Sequence, residues 1–315
     1  LNLAADYYRR NNFDLIGVIN TQGAGGTIAK YANIASMKSS GIELTISSKN
    51  MRTKDFSWNT DFIFSKTKNE ITDLKSHANV LSLISGNGFG REGYPVRGLF
   101  SIPFAGLTED GLPTFINQDG QKTISSFNFQ EYEKLDFLKY EGPTDPTITG
   151  SFGNILTYKN LKLNVFVTYS FGNVIRLDPV FSNAYSDLDA MPKEFKNRWM
   201  KAGDENVTNI PTIVSTRMNQ QYAYLNMAYN AYNSDVRIAD GGFIRLKEIS
   251  LSYDLPAKVI NFFRLNKLQL KLQATNLCLL YADSKLNGQD PEFFRSGGVS
   301  TPVPKQFTFT VRLGL

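Results

Sequence analysis

The side chains best suited to bind a ligand are an arginine and several aromatic residues in one long segment, 172–241. They are Arg198, Trp199, Tyr222, Tyr224, Tyr229 and Tyr232. Exposed aromatic rings beside polar groups stack on the faces of sugars or pack against partner proteins. The same side chains can also pack a long loop against itself, and the sequence leaves both roles open.

Acidic and glycine-rich segments are the next candidates. Asp283, Asp290 and Glu292 carry carboxylates of the kind that hard cations prefer, although a solvated acidic loop has the same composition and is the reading we favour. The stretch Gly86-Asn-Gly-Phe-Gly90 lacks the strand-then-helix setting of a phosphate-binding loop, and no Lys-Ser/Thr pair follows it. It therefore predicts a mobile loop, and we expect no metal site.

Catalysis has little support. His77 and Cys278 are the single histidine and the single cysteine of the sequence, and neither has a paired base or second ligand nearby. One cysteine forms no disulfide within the chain, and a zinc site needs more thiols or histidines. We predict that the chain is not an enzyme and uses no cofactor.

Charge and hydropathy limit the classes of protein to which the chain could belong. The 34 basic and 29 acidic residues give a net charge of +5 without a basic run, so no nucleic-acid partner is expected. No apolar run approaches the roughly 20 residues of a transmembrane helix, but a barrel strand needs only about 10 alternating residues. The 23 Phe, 15 Tyr and 2 Trp would supply the interfacial aromatic girdles of such a barrel.

The elements that would position these side chains are strands with apolar and polar residues in alternation. Clear alternation predicts strands at 42–46, 56–64, 161–171, 268–275 and 307–315, and weaker patterns predict strands at 1–10, 148–158 and 243–253. In the last of these the apolar phase slips between Leu246 and Ile249, which a β-bulge would explain. The count is about eight strands.

The connections distinguish a membrane barrel from a soluble sandwich. The links 48–56 and 158–161 are short, whereas the gaps 21–40, 66–147, 172–241 and 277–305 are long. Outer-membrane barrels have short periplasmic turns and long extracellular loops. The pattern predicts an all-β, antiparallel transmembrane β-barrel whose apolar face meets outer-membrane lipid and whose polar face lines a wet lumen.

Several segments together resemble one protein family. The segment from Asp240 to Pro256 (DGGFIRLKEISLSYDLP) is similar to a block typical of SusC/RagA-type TonB-linked outer-membrane transporters. Weaker matches occur in the family's order at Tyr7-Tyr-Arg-Arg10, Ser40-Gly-Ile-Glu43, Trp58-Asn-Thr-Asp-Phe62, Glu92-Gly-Tyr-Pro95, Asp290-Pro-Glu292 and Pro304-Lys-Gln-Phe-Thr-Phe309. The resemblance extends over essentially the whole chain.

The resemblance implies a function that the residues alone do not. Residues 1–315 would be the C-terminal part of a barrel of about 22 strands, with the N-terminal plug domain and the TonB box absent from this chain. A SusD-like surface lipoprotein and TonB would be its partners, and glycans or peptides its cargo. The resemblance also implies that Asp290-Pro-Glu292 is structural.

Two other functions stay open on the sequence. The chain could be a SusC-like structural subunit of a larger outer-membrane assembly that imports nothing. It could also be a small self-contained barrel, because about eight strands are able to close.

Overall fold

The computed structural model describes residues 1–20, 29–180, 188, 192–215, 217, 233–262, 264–294 and 301–314. In chain order its strands are β1 (Asn2–Asn20), β2 (Ala29–Arg52), β3 (Phe56–Leu74), β4 (Gly98–Ser101), β5 (Phe104–Leu107), β6 (Pro113–Ile116), β7 (Lys122–Thr123), β8 (Lys139–Pro143), β9 (Ile148–Tyr158), β10 (Leu161–Phe171), β11 (Val174–Arg176), β12 (Ile238–Asp240), β13 (Phe243–Asp254), β14 (Lys267–Ala282) and β15 (Gln306–Gly314). Two short α-helices, α1 (Val80–Leu83) and α2 (Ala257–Phe262), and 3-10 turns at Lys193–Asn197, Asp204–Asn206, Asp235–Arg237, Ser284–Leu286 and Pro291–Phe293 complete the described elements.

Eight of the strands form one antiparallel sheet in the order β1-β2-β3-β9-β10-β13-β14-β15. Each of these strands pairs with the next one of the eight along the chain, as in an up-and-down barrel wall. Within the described residues β1 pairs only with β2, and β15 pairs only with β14. The sheet is therefore an open section of wall.

The register separates an apolar face from a polar face. On the first, Phe62 pairs with Phe152, which pairs with Val167. On the second, the buried polar residues of the wall are Ser151, Ser170, Arg245 and Ser250. The apolar face stays exposed, as it does at Phe309 and Leu272, which is typical of the lipid-facing side of a membrane barrel.

The short turns confirm part of the predicted connections. β9 and β10 are joined by two residues, with Lys159 in the left-handed region at φ 51°. The predicted bulge is confirmed as well, since the pairing of β13 with β14 shifts register between Leu246 and Glu248. The link from β13 to β14 is longer than the other two turns, because it carries α2.

Three predicted gaps overlap strands of the eight-stranded sheet. β3 continues to Leu74, inside 66–147, and β14 continues to Ala282, inside 277–305. The gap 21–40 differs most. The sequence predicts a loop over 21–40, but β2 begins at Ala29 and pairs with β1 from there onward. The pairing of β2 with β3 begins only at Ala35. Residues 29–34 therefore belong to a two-stranded ribbon that continues beyond the rest of the sheet.

The long connections between barrel strands pack into a second unit, which we call the loop layer. It includes α1, the short sheets β4-β8, β5-β6-β7 and β11-β12, and the segments that join them. Its main core holds Leu83, Ile84, Phe100, Ile102 and Phe115, all 0% exposed. None of the helices in the described ranges has the length and apolar character needed to cross a bilayer.

Candidate functional site

Arg245 links the barrel wall to the segment that follows β14. It lies on the polar face of β13 and is 5% exposed. Its Nη2 donates to both carboxylate oxygens of Asp290, at 2.6 and 2.7 Å, and lies 3.1 Å from Oε2 of Glu292. The clamp holds the 3-10 turn Pro291–Phe293 against the lumen side of the wall.

This clamp decides the role of the predicted acidic group. Asp290 and Glu292 neutralise Arg245. Asp283 accepts hydrogen bonds from the backbone N–H groups of Asp240 and Lys285, at 2.8 and 2.9 Å. No group of three or more potential metal ligands occurs among the residues the structure describes. The acidic residues therefore hold the loops in place.

A second buried arginine, Arg176 at the end of β11, joins three parts of the loop layer. Its guanidinium donates to the carbonyl oxygens of Phe100 and Ser234, at 2.5 and 2.7 Å, and to Oγ of Ser101 at 3.1 Å. Burial lowers the pKa of Arg176 to about 10, partly offset by the nearby carboxylate of Glu141. The side chain thus keeps its positive charge at neutral pH.

A third arginine, Arg237, forms one wall of an open pocket. It holds Glu194 through two parallel bonds of 3.1 and 2.7 Å, and its Nε donates to the backbone oxygen of Asp178 at 3.1 Å. Such a fork fixes both partners in one orientation. The ion pair therefore gives this side of the pocket a fixed shape.

The pocket has a volume of about 670 Å³ and a mostly polar lining. The residues that give it hydrogen-bonding capacity are Glu194, Asn197, Arg198, Asp204, Thr208 and Lys285. Carboxylates, amides, hydroxyls and cations in one open depression suit a polar, hydrogen-bonding ligand better than an apolar one.

The predicted contact residues do not all share this pocket. Arg198 lines it, with its guanidinium 4.8 Å from the ring centroid of Phe195. Trp199 instead donates from Nε1 to Glu205 at 3.0 Å, and its indole covers Gly111, where a Cβ would lie 2.5 Å from the ring. Trp199 thus packs the layer on itself.

The four tyrosines of the prediction, Tyr222, Tyr224, Tyr229 and Tyr232, lie outside the described residues. Ligand contact by them and by Arg198 stays a prediction.

The glycine-rich stretch, the histidine and the cysteine lie apart from this pocket. Gly88, at φ +71°, forms a turn and donates its N–H to the carbonyl of Ser85. His77 lies 5.9 Å from the ring of Tyr132, and Cys278 is exposed on β14 opposite Leu246, on the apolar face.

The sequence reasoning missed the three buried arginines. Each has a local signal: Arg176 and Arg237 are flanked by aliphatic residues on both sides, and Arg245 lies inside an apolar strand pattern. A cation among apolar neighbours is buried only with partners, so these positions could have been singled out.

Comparison with known proteins adds the family context. The chain is 25% identical to TonB-dependent receptor P3 of Formosa agariphila, over 93% of this chain and 29% of the relative. It is 24% identical to TonB-dependent receptor SusC of Bacteroides thetaiotaomicron, over 98% and 29%. This chain resembles part of a SusC/RagA-type TonB-dependent transporter. No family model matches it.

Solved structures support the same fold. The SusC/RagA-like chain superposes on the RagAB peptide transporter with a TM-score of 0.74 and 22% identity, covering 99% of itself and 33% of that structure's chain. The "open-open" state of the RagAB peptide importer gives a TM-score of 0.74, with coverage of 99% and 32%.

These likenesses confirm the predicted outer-membrane β-barrel fold and its place in the outer membrane. The relatives are receptors and transporters, and they confirm the prediction of a non-enzyme. The chain spans about a third of the length of the proteins it matches.

Proposed function

We propose that this SusC/RagA-like chain forms part of the wall and the outer ligand chamber of an outer-membrane transporter that imports glycans or peptides. The observation that carries the proposal is the buried Arg245–Asp290 clamp, which fixes an extracellular segment to the polar face of a barrel wall. A passive wall has no need of such an anchored layer. A transporter needs one to shape the entrance to its lumen.

The wall implies further strands. Unpaired N–H and C=O groups at the edge of a sheet are costly in lipid, so a membrane-spanning sheet must close. The described strands leave β1 and β15 as edges, which argues against the self-contained eight-stranded barrel. We propose that the sheet is the C-terminal section of a larger barrel with a separate plug and TonB-binding segment.

The partners are proposed on the same basis. A SusD-like surface lipoprotein would rest on the loop layer and capture the cargo, and TonB would supply energy through the plug. The polar pocket around Arg198 would contribute hydrogen bonds to the glycan or peptide. A non-importing structural subunit has no specific observation in its favour.

The test combines composition and uptake. The protein that contains this chain is extracted from outer membranes in detergent, and its denatured mass and co-purifying chains are identified by mass spectrometry. We expect a polypeptide about three times the 35.3 kDa of this chain, because the chain spans 29–33% of its relatives. A lipoprotein should accompany it.

Uptake is then measured in cells with fluorescent oligosaccharides and oligopeptides. Deleting the gene should abolish uptake of one of the two classes, and removing TonB should do the same. A protein of about 35 kDa without a larger companion, or uptake of both classes that persists without TonB, would refute import.

A further inference from the structure

A group of basic side chains lies on the apolar face of the sheet, above the apolar band of β1, β2 and β3. We call it the basic row, and it consists of Arg9, Lys38, Lys66 and Lys68. Lys66 pairs with Ile42, and Lys68 pairs with Ser40, which in turn pairs with Arg9. The four cations are therefore neighbours on the outward, lipid-facing side of the wall.

The height of the basic row matches the outer membrane boundary. On β3 the outward-facing side chains change from aromatic at Phe64 to basic at Lys66, two residues or roughly 7 Å along the strand. Two aromatic rings lie at the same height along neighbouring strands. Lys66 pairs with Ile148, which pairs with Phe171, and the ring of Phe171 lies 6.0 Å from that of Tyr281. Aromatic girdles mark the level of the lipid headgroups, so the basic row lies at that level.

The basic row is not neutralised by the protein around it. Glu70 faces it, 2.7 Å from Nζ of Lys38 and 3.9 Å from Nζ of Lys68. Glu92 lines an adjoining depression together with Lys38 and Glu70. Two carboxylates against four cations leave a charge of +2. Over the described ranges Arg9 and Lys66 have no ion-pair partner, and the side chain of Lys68 is 78% exposed.

Three of the four cations border a shallow depression of about 230 Å³, whose lining includes Tyr7, Arg9, Lys38, Ser40, Lys68 and Glu70. Cations beside hydroxyl groups suit a phosphate, because its oxygens accept several charge-assisted hydrogen bonds at once. At this height on the outward face, the anions within reach are the headgroups of the surrounding lipid.

We propose that the basic row binds the phosphorylated headgroup of an outer-leaflet lipid. The inference depends on the outer-membrane placement of the wall and not on transport, so a failure of either proposal leaves the other intact. It also differs from ordinary snorkelling of lysines at an interface, which needs no phosphate.

The experiment uses the full protein in detergent micelles, titrated with bis-phosphorylated lipid A and followed by native mass spectrometry. The test variant is R9Q/K66Q/K68Q. The matched control is K49Q/K162Q/K267Q, which removes three exposed lysines from the polar face, so both variants lose the same net charge.

Each basic residue near an anionic surface gives roughly a five-fold gain in affinity. The test variant should therefore bind lipid A about 100-fold more weakly than the wild type, and the control should bind like the wild type. Dephosphorylated lipid A should bind the wild type as weakly as lipid A binds the test variant.

Three results would overturn the proposal: equal binding by the test variant, equal binding of dephosphorylated lipid A, or complete displacement by millimolar inorganic phosphate. The last would identify a free-phosphate site. Folding is checked by heat-modifiable migration in gels. If the triple variant does not fold, K68Q replaces it. K68Q should fold, because Lys68 is exposed and its one carboxylate contact is 3.9 Å long. It should bind lipid A about five-fold more weakly than the wild type.

Discussion

The barrel wall and the loop layer of this chain bury opposite kinds of side chain. In the wall, most buried side chains of the polar face are polar, as Ser151 and Arg245 are, and large apolar side chains such as Phe309, at 62%, are exposed. In the loop layer, apolar side chains such as Phe115 are fully buried. The difference shows that one chain folds against two solvents, lipid around the wall and water around the layer.

The largest expected effect comes from the loop-layer core. Phe115→Ala should lower the local free energy of unfolding of the layer by about 3–5 kcal/mol, because the ring is fully buried against Phe104 and Phe127 and leaves a cavity. Hydrogen exchange of layer and wall peptides in the same detergent measures the change. Phe309→Ala is the control, because lipid fills the space that the exposed ring leaves. Equal deprotection of wall and layer by Phe115→Ala would show that the two regions unfold as one unit.

The next largest effect tests the link between the two regions. Arg245→Gln should destabilise the segment 283–294 by about 3 kcal/mol, because it leaves the carboxylate of Asp290, 9% exposed, without its cation. Asp290→Asn in the same chain should recover part of the loss. A double-mutant cycle on the exchange protection of that segment measures the coupling. A coupling energy near zero would mean that the clamp does not anchor the loop.

The smallest effect is a pH dependence confined to the layer. Burial, together with the neighbouring Tyr94, raises the pKa of Tyr140 to about 12. The folded layer therefore favours the neutral phenol of Tyr140. This stabilisation is fully present below pH 10 and is lost as the pH rises from 10 towards 12.

Tyr140→Phe should make the layer more resistant to alkaline unfolding than the wild type over that interval. Tyr132→Phe is the control, because the ring of Tyr132 is 54% exposed. Ultraviolet absorbance of ionised tyrosine and near-UV circular dichroism follow the transition. Identical alkaline midpoints in all three proteins would contradict the assigned role of Tyr140.

The wall was predictable from sequence and the layer was not. Alternation along Leu161–Phe171 predicts β10 because each side chain faces either lipid or lumen. Residues 75–147 contain short strands whose packing depends on distant partners, as when the N–H of Phe104 donates to Asp235 at 3.1 Å. No local pattern encodes such contacts, so the segment was predicted only as a loop.

The start of β2 shows the same limit inside the wall. Residues 29–37 alternate poorly, yet they form a strand because most of them pair with an opposite residue of β1, as Tyr31 does with Val18. At the candidate site, sequence chemistry singled out Arg198, which lines the polar pocket, but it could not show that Trp199 covers Gly111. Side-chain direction in a long loop is set by tertiary contacts.

The exposed thiol of Cys278 has a practical consequence. It is the one cysteine of these 315 residues, and it lies opposite Leu246 on the face that meets lipid. A maleimide fluorophore at this position would sit in the bilayer beside the wall, next to Leu279, which pairs with Arg245. Quenchers attached at known depths along lipid chains would then measure how deeply the wall is immersed at Cys278.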